Sequence, residues 1–270
     1  MLPLHPQQAS HARGFRIAQV PLAQPLHWLR LGWQDLWAQP LPGLLHGLAA
    51  AAFGALLIAW ARDRFWLLAG AFSGFLLVAP LLATGLYAIS REREQGRAAG
   101  WAVALQAWHP KDSRLVRFGL LLALSGTGWV LTSASMITAF AGAPVNSPGD
   151  FLRVVVLADA NHLFEAWLVL GSVLAAPMFA STVVAIPMLQ DRPHGVVTAV
   201  ATSVGAALMN PLPMALWATL ILGLTLLGMA TLMLGLIVVV PWLAHASWHA
   251  YRDLVQAVPP DAASSIAEPA

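Results

Sequence analysis

The residues best suited to chemistry lie near the end of the last apolar stretch, in His245-Ala-Ser-Trp-His249-Ala-Tyr-Arg-Asp253. His245, His249 and Asp253 recur every four residues, so in a helix all three lie on one face. Two histidines at this spacing can chelate a metal, and the following carboxylate can bind the metal or orient a histidine. The preferred interpretation is a helix end at the membrane surface, where His and Arg complement the helix dipole.

A third histidine, His46, lies near the start of the first apolar stretch, between Gly43 and Gly47. It can serve as an axial ligand or proton relay facing His245 or His249, or it can hydrogen-bond a carbonyl on a neighbouring helix. The two glycines are four apart, a spacing typical of close helix packing in membranes. The sequence predicts no cofactor. The alternative is haem or a divalent metal, with candidate ligands His46, His245, His249 and Asp253.

Other catalytic arrangements are missing from the sequence. It has no cysteine, which excludes thiol nucleophiles, thiolate metal sites and iron–sulfur clusters. No P-loop, dinucleotide-binding glycine motif, HExxH or GxSxG occurs. We therefore predict that the protein is not an enzyme.

The composition indicates how these residues must be positioned. Of the 270 residues, 59% are hydrophobic and only 10% charged, and the mean hydropathy is +0.70. Soluble domains carry about 25% charged residues, so the chain is predicted to be an integral membrane protein whose main partner is the lipid bilayer. Its 14 basic and 12 acidic residues form no basic face, which excludes a nucleic-acid partner.

The chain divides into a cytoplasmic tail (1–25), one membrane domain (26–255) and a disordered tail (256–270). The uncharged tract 212–244 is about 50 Å long as one helix, which exceeds the bilayer thickness. We therefore divide it near Gly228 into two shorter spans. The predicted spans are 43–60, 65–90, 115–140, 164–189, 213–228 and 230–250.

An internal repeat supports six spans rather than five. Segments 22–36, 101–108 and 197–208 have helical apolar spacing, and each ends shortly before a proline. Downstream, Pro80 leads to Tyr87 and Arg91, and Pro241 leads to Trp248 and Arg252 at identical offsets. The predicted fold is an all-α transmembrane bundle of three hairpins, each preceded by an interfacial amphipathic helix.

The basic residues predict the orientation. With a cytoplasmic N-terminus, eleven of the fourteen Lys and Arg residues fall on the cytoplasmic side. The exceptions are Arg62, Arg64 and Arg153. Six spans also keep Arg252 and the C-terminus in the cytoplasm, whereas five spans place them outside. The predicted location is a bacterial inner membrane.

Three motifs carry a family resemblance: Trp28-Leu-Arg-Leu-Gly32-Trp33-Gln-Asp35, Gly85-Leu-Tyr87-Ala-Ile-Ser90-Arg91 and Trp248-His249-Ala-Tyr251-Arg252-Asp253. Over about residues 20–255 the chain resembles a bacterial family of predicted integral membrane proteins, domain of unknown function 2189. Ala88 departs from the family pattern, in which an acidic residue often precedes the Ser-Arg pair. The resemblance implies a multi-span inner-membrane protein and brings no reaction or ligand. We interpret the following residues as interfacial anchors and motif residues: Trp28, Gly32, Trp33, Asp35, Tyr87, Arg91, Trp248, Tyr251 and Arg252.

The preferred function is non-enzymatic: assembly, partner binding or membrane organisation, with a membrane protein or a second copy of the chain as partner. Arg30 and Asp35 are expected to dock on the basic second loop or on lipid headgroups. The first alternative is a small-solute permease or channel lined by the hydroxyl groups of the third span, and the second is a metal- or haem-binding protein using His46, His245 and His249.

Overall fold

A computed structural model describes residues 14–61, 83–107, 113–158 and 162–257, most of which are helical. This confirms the all-α prediction. In chain order the helices are α1 (Gln24–Ala38), α2 (Pro40–Ala61), α3 (Thr84–Glu94), α4 (Trp101–Ala107), α5 (Ser113–Phe140), α6 (Pro148–Phe151, continued by a π turn over Leu152–Val156), α7 (Leu163–Thr182), α8 (Ala185–Asp191), α9 (Val196–Met209), α10 (Pro211–Ala230) and α11 (Leu236–Leu254).

Four helical segments within the described residues are long and apolar enough to cross a membrane: Pro40–Ala59, Ser113–Phe140, Leu163–Asp191 and Pro211–Ala230. They correspond to the predicted first, third, fourth and fifth spans. Most of the predicted second span, 65–90, lies outside the described residues, and its end forms part of α3. The predicted sixth span corresponds to most of α11, which is not among the four. The number six therefore stays a prediction.

The long uncharged tract is divided between two helices, as its length predicts. α10 ends at Ala230 and α11 begins at Leu236. Leu232 and Met233 adopt positive φ values of 54° and 69° in the turn between them. A Cβ on Gly235 would lie 2.8 Å from the Gly228 Cα, so these glycines allow the two helices to meet closely.

The repeat is visible in the order of the helices. α1, α4 and α9 directly precede the long helices α2, α5 and α10. Pro40 and Pro211 begin two of the long helices, where a missing N–H costs no helical hydrogen bond. The proline at the end of the third copy, Pro110, lies outside the described residues.

The core lies where α3, α8 and α11 pack against one another. All residues in 83–90 and 184–189 are buried, as are most of those in the second half of α11. Residues 83–90 and the second half of α11 follow Pro80 and Pro241, so the repeat places equivalent segments at the centre. Ser203 on α9 stabilises the break between α7 and α8: it donates to the Ala180 carbonyl (2.6 Å) and accepts from the Val184 N–H (3.0 Å).

A two-stranded antiparallel sheet joins parts of the two predicted tails. β1 (Phe15–Ile17) pairs with β2 (Val255–Ala257), with Phe15 opposite Ala257. Asn210 fixes the chain that follows β1, accepting from the Val20 N–H (2.8 Å) and donating to the Ala18 carbonyl (3.0 Å). Residues 14–25 and 256–257, which belong to the predicted tails, are thus part of the described fold, and the domain boundaries at 25 and 255 stay a prediction. The partners are about 240 residues apart, a distance that local sequence patterns do not report.

Candidate functional site

The candidate site forms where α1 crosses α11, and a glycine permits the crossing. A Cβ on Gly32 would lie 2.5 Å from the Ala246 backbone nitrogen, so only glycine allows this approach. Asp35 follows Gly32 by about one helical turn, and His249 follows Ala246 by three residues. The close crossing therefore brings the Asp35 carboxylate to the histidine face of α11.

We define the Asp35 cluster as Asp35, Ser90, Arg93, His245 and His249. Asp35 Oδ2 accepts from Ser90 Oγ (2.5 Å) and lies 2.9 Å from His249 Nε2. Asp35 Oδ1 accepts from Arg93 Nε (2.9 Å). Ser90 Oγ also lies 2.8 Å from His245 Nδ1. The cluster thus joins α1, α3 and α11 through one carboxylate.

The donor and acceptor roles within the cluster follow from the chemistry of the serine. Ser90 has one hydroxyl proton and donates it to Asp35, so its contact with His245 requires a proton on Nδ1. His245 Nε2 is then the unprotonated nitrogen of the neutral ring. It is buried and has no hydrogen-bond partner among the described residues. His249 Nε2 must donate to Asp35, because the ionised carboxylate only accepts.

The electrostatics favour a charged carboxylate. Burial disfavours ionisation of Asp35, but the hydrogen bonds from His249, Ser90 and Arg93 outweigh it and lower its pKa to about 2. Asp35 is only 7% exposed, so its charge is poorly hydrated. Arg93, also in hydrogen-bond contact, balances that charge. Arg93 lies in the last turn of α3, in the basic segment between the predicted second and third spans, which is one of the two partners expected for Asp35.

A second carboxylate on α11 also binds α1. Asp253 Oδ2 accepts from Trp28 Nε1 (2.7 Å) and from Gln24 Nε2 (2.6 Å). The Trp28 indole is fully buried, so this acceptor satisfies a donor that cannot reach water. Trp28 therefore ties α1 to α11 from within the protein.

The other motif residues of α11 bind two acidic residues of the core helices. Glu94 accepts from Trp248 Nε1 (3.1 Å) and from Arg252 Nε (2.9 Å). The Tyr251 hydroxyl donates to Asp191 Oδ2 (2.7 Å), and burial together with this carboxylate raises the pKa of Tyr251 above its usual value. These contacts connect α11 to α3 and α8.

The remaining predicted anchors have different environments. Trp33 is exposed on α1 and packs edge-on against Trp37 and Trp242. Tyr87 is buried and lines a cavity. Arg91 Nη2 lies 3.5 Å from Glu92 Oε1.

The four predicted metal ligands do not converge. His245 and His249 both belong to the Asp35 cluster, whereas Asp253 binds Trp28 and Gln24. His46 Nδ1 lies 2.6 Å from the Pro42 carbonyl of its own helix, and its ring packs edge-on against Trp101. In the parts of the chain that the structure describes, no group of three His, Asp or Glu residues is placed to hold a metal. Metal or haem binding stays a prediction.

Sequence reasoning missed the participation of Arg93 and of the acidic pair Glu94 and Asp191. Arg93 lies three residues after Ser90, so the two side chains lie close to the same helical face. This spacing is the one sequence signal that could have placed Arg93 in the cluster. On the common face of α11, His249 and Asp253 contact Asp35 and Trp28 of α1. His245, on the same face, contacts Ser90 of α3. As built, the cluster can hold helices together and retain a buried charge.

Comparison with known proteins gives one match. Residues 67–191 match a family described as "Predicted integral membrane protein (DUF2189)". The match includes α3 to α8 and confirms the resemblance for that segment, whereas the motifs of α1 and α11 lie outside it. No curated protein and no solved structure matches the chain.

Proposed function

From its similarity to this family of integral membrane proteins, we propose that the chain is a non-enzymatic protein of the bacterial inner membrane that organises the lipid leaflet around it. The observation that carries the proposal is the exposed apolar surface of α1. Polar residues next to it, such as Asp35, make their hydrogen bonds within the protein. Leu26, Trp33 and Trp37 are 54%, 41% and 49% exposed.

The length of α1 favours a position at the membrane surface. It has 15 residues, about 22 Å, which is too short to cross a hydrocarbon layer of about 30 Å. Its inner face packs through Trp28 and Leu36, both fully buried. The outer face exposes Leu26, Trp33 and Trp37 beside polar side chains, as an interfacial amphipathic helix does. Indole rings prefer the headgroup level. We therefore place Trp33 and Trp37 in the leaflet interface.

The other two helices that precede long helices support the same role. α4 exposes Trp101 and Leu105, and α9 exposes Val197 and Leu208. In the predicted topology all three helices lie on the cytoplasmic side. Three apolar helices inserted into one leaflet expand it relative to the other, so the protein is expected to prefer membrane that curves towards the cytoplasm.

The sheet supports an even number of spans. β1 and β2 are hydrogen-bonded, so the two segments lie on the same side of the protein. Six spans meet this condition and five do not, and the basic residues favour the cytoplasmic side. Reporter fusions at residues 14 and 257 test this: two cytoplasmic signals support six spans, and signals on opposite sides refute them.

The permease alternative receives little support from the third span. Ser125, Thr127 and Thr132 on α5 are exposed, and each donates to a carbonyl of its own helix. Hydroxyl groups so placed face the lipid and need no aqueous path. A flux screen in proteoliposomes that finds protein-dependent transport would overturn the proposed leaflet-organising role in favour of a permease.

The position of α1 is tested by fluorescence quenching in proteoliposomes containing lipids brominated at defined depths. The difference in quenching between the wild type and the Trp33→Phe/Trp37→Phe variant reports on these two indoles. We expect bromines near the headgroups to quench this difference signal more strongly than bromines near the chain ends. If neither position quenches it, α1 lies in water and the proposal fails.

The role itself is tested by membrane curvature. The labelled protein is reconstituted into giant vesicles from which narrow tubes are pulled, with its cytoplasmic side outward. We expect enrichment in the tube, reduced in a Trp33→Ser/Trp37→Ser variant. Trp167→Phe is the control. Trp167 on α7 donates a hydrogen bond to Ser133 on α5, away from α1, so this variant should be enriched in the tube like the wild type. Equal density in tube and vesicle for the wild type would refute the proposal.

A further inference from the structure

An elongated cavity of about 270 Å³ lies between α2, α3, α7, α10 and α11. Ligand sites usually have about 300–1,000 Å³, so this cavity suits a small or narrow ligand. Its lining on α11 runs from Leu236 to Ser247, which is about 17 Å along the helix at about 1.5 Å per residue. A cavity of this volume and length is narrow and accommodates one hydrocarbon chain.

Most of the lining is apolar. The lining includes Phe53 and Leu57 on α2, Ile221 on α10 and Val240 on α11. No charged side chain is among the described residues that line it. An apolar chain is therefore favoured along its length, and an ionised headgroup is disfavoured.

One end carries an unsatisfied donor. Trp217 lines the cavity, is fully buried, and its indole N–H has no hydrogen-bond partner among the described residues. Ser247 lies at a similar distance from the α10–α11 turn, and its hydroxyl already donates to the Leu243 carbonyl (2.7 Å). An indole N–H donates and cannot accept, so a ligand that satisfies Trp217 must supply an acceptor at this end.

We infer that the cavity binds a membrane-soluble molecule with one apolar chain and an uncharged carbonyl group at its head, which accepts a hydrogen bond from Trp217. Two classes of molecule share this chemistry: fatty acyl esters, including those of phospholipids, and isoprenoid quinones. This inference is independent of the position of α1, so it can fail without affecting the proposed function.

The test is photolabelling of the full chain in detergent. The probe is the methyl ester of a twelve-carbon fatty acid that carries a diazirine near the end of its chain. We expect labelling of peptides that line the cavity. Trp217→Phe removes the donor and keeps the ring, so labelling at limiting probe should fall about tenfold, the effect of one buried hydrogen bond.

Two further variants keep the result interpretable. Gly54 lines the cavity, and Gly54→Leu fills space there while raising helix propensity, so it should fold and abolish labelling. Trp167→Phe alters an indole that does not line the cavity and should label like the wild type. Equal labelling of the wild type, Trp217→Phe and Gly54→Leu, or labels confined to residues outside the cavity, would overturn the inference.

Competition identifies the source of the ligand. An excess of a short-chain phosphatidylcholine that displaces the probe indicates an acyl ester, and displacement by a benzoquinone with a two-isoprene tail indicates a quinone. If neither competitor nor the unlabelled ester displaces the probe, labelling is nonspecific and the inference is wrong.

Discussion

Asp35 offers the sharpest test of the reasoning about the buried cluster. Asp35→Asn keeps the shape of the side chain, but it removes the charge and turns one acceptor oxygen into an amide that faces donors. Hydrogen bonds to charged groups contribute about 1.5–3 kcal/mol each, and breaking a buried ion pair costs about 3–5 kcal/mol. We expect the free energy of unfolding at pH 7 to fall by about 3 kcal/mol.

The pH dependence of the free energy of unfolding gives a second value for the contribution of Asp35. Folding lowers the pKa of Asp35 from 3.8 to about 2. A carboxylate whose pKa is lowered on folding stabilises the protein above its unfolded pKa, and this stabilisation is lost as the pH falls through the folded value. The shift corresponds to about 2 kcal/mol. The difference between the wild type and Asp35→Asn should therefore shrink by about that amount between pH 4 and pH 2.

The measurement is reversible unfolding by dodecyl sulfate in mixed micelles, followed by circular dichroism. Asp150→Asn is the matched control, because Asp150 also pairs with an arginine, Arg153, but at an exposed site. It should change stability much less than Asp35→Asn does, because water screens an exposed ion pair. Equal losses of unfolding free energy in Asp35→Asn and Asp150→Asn would refute the assigned role of Asp35. A difference in stability between the wild type and Asp35→Asn that stays the same from pH 4 to pH 2 would also refute it.

Two further predictions concern helix packing and the N-terminal segment. Gly32→Ala should lower the free energy of unfolding by about 2 kcal/mol, because its Cβ would overlap the α11 backbone. Gly223→Ala, with nothing within 4 Å of the added Cβ, should be neutral or stabilising by up to about 1 kcal/mol in the same unfolding assay; similar losses in both would contradict the close crossing. Asn210→Ala should speed amide hydrogen exchange in residues 15–20, because the side chain holds that segment at two backbone groups. Unchanged exchange there would show that the sheet alone fixes it.

Several features of the fold could be predicted because they depend on local composition. The apolar helices α2, α5, α7 and α10 follow from long stretches with few charges, since in lipid a helix satisfies all its backbone groups within one segment. The division of 212–244 follows from length alone, and Pro40 and Pro211 mark helix starts. The common face of His245, His249 and Asp253 follows from a four-residue spacing.

The sequence by itself therefore determined the class of protein, most helix boundaries and which side chains share a face. The tertiary structure decided what those faces meet: a carboxylate and an indole on α1 and a serine on α3. It also decided the pairing of β1 with β2. The physical reason is that helical periodicity depends on neighbours within one or two turns. The partner of Asp35 on α11 is 214 residues away, and its approach depends on the missing side chain of Gly32.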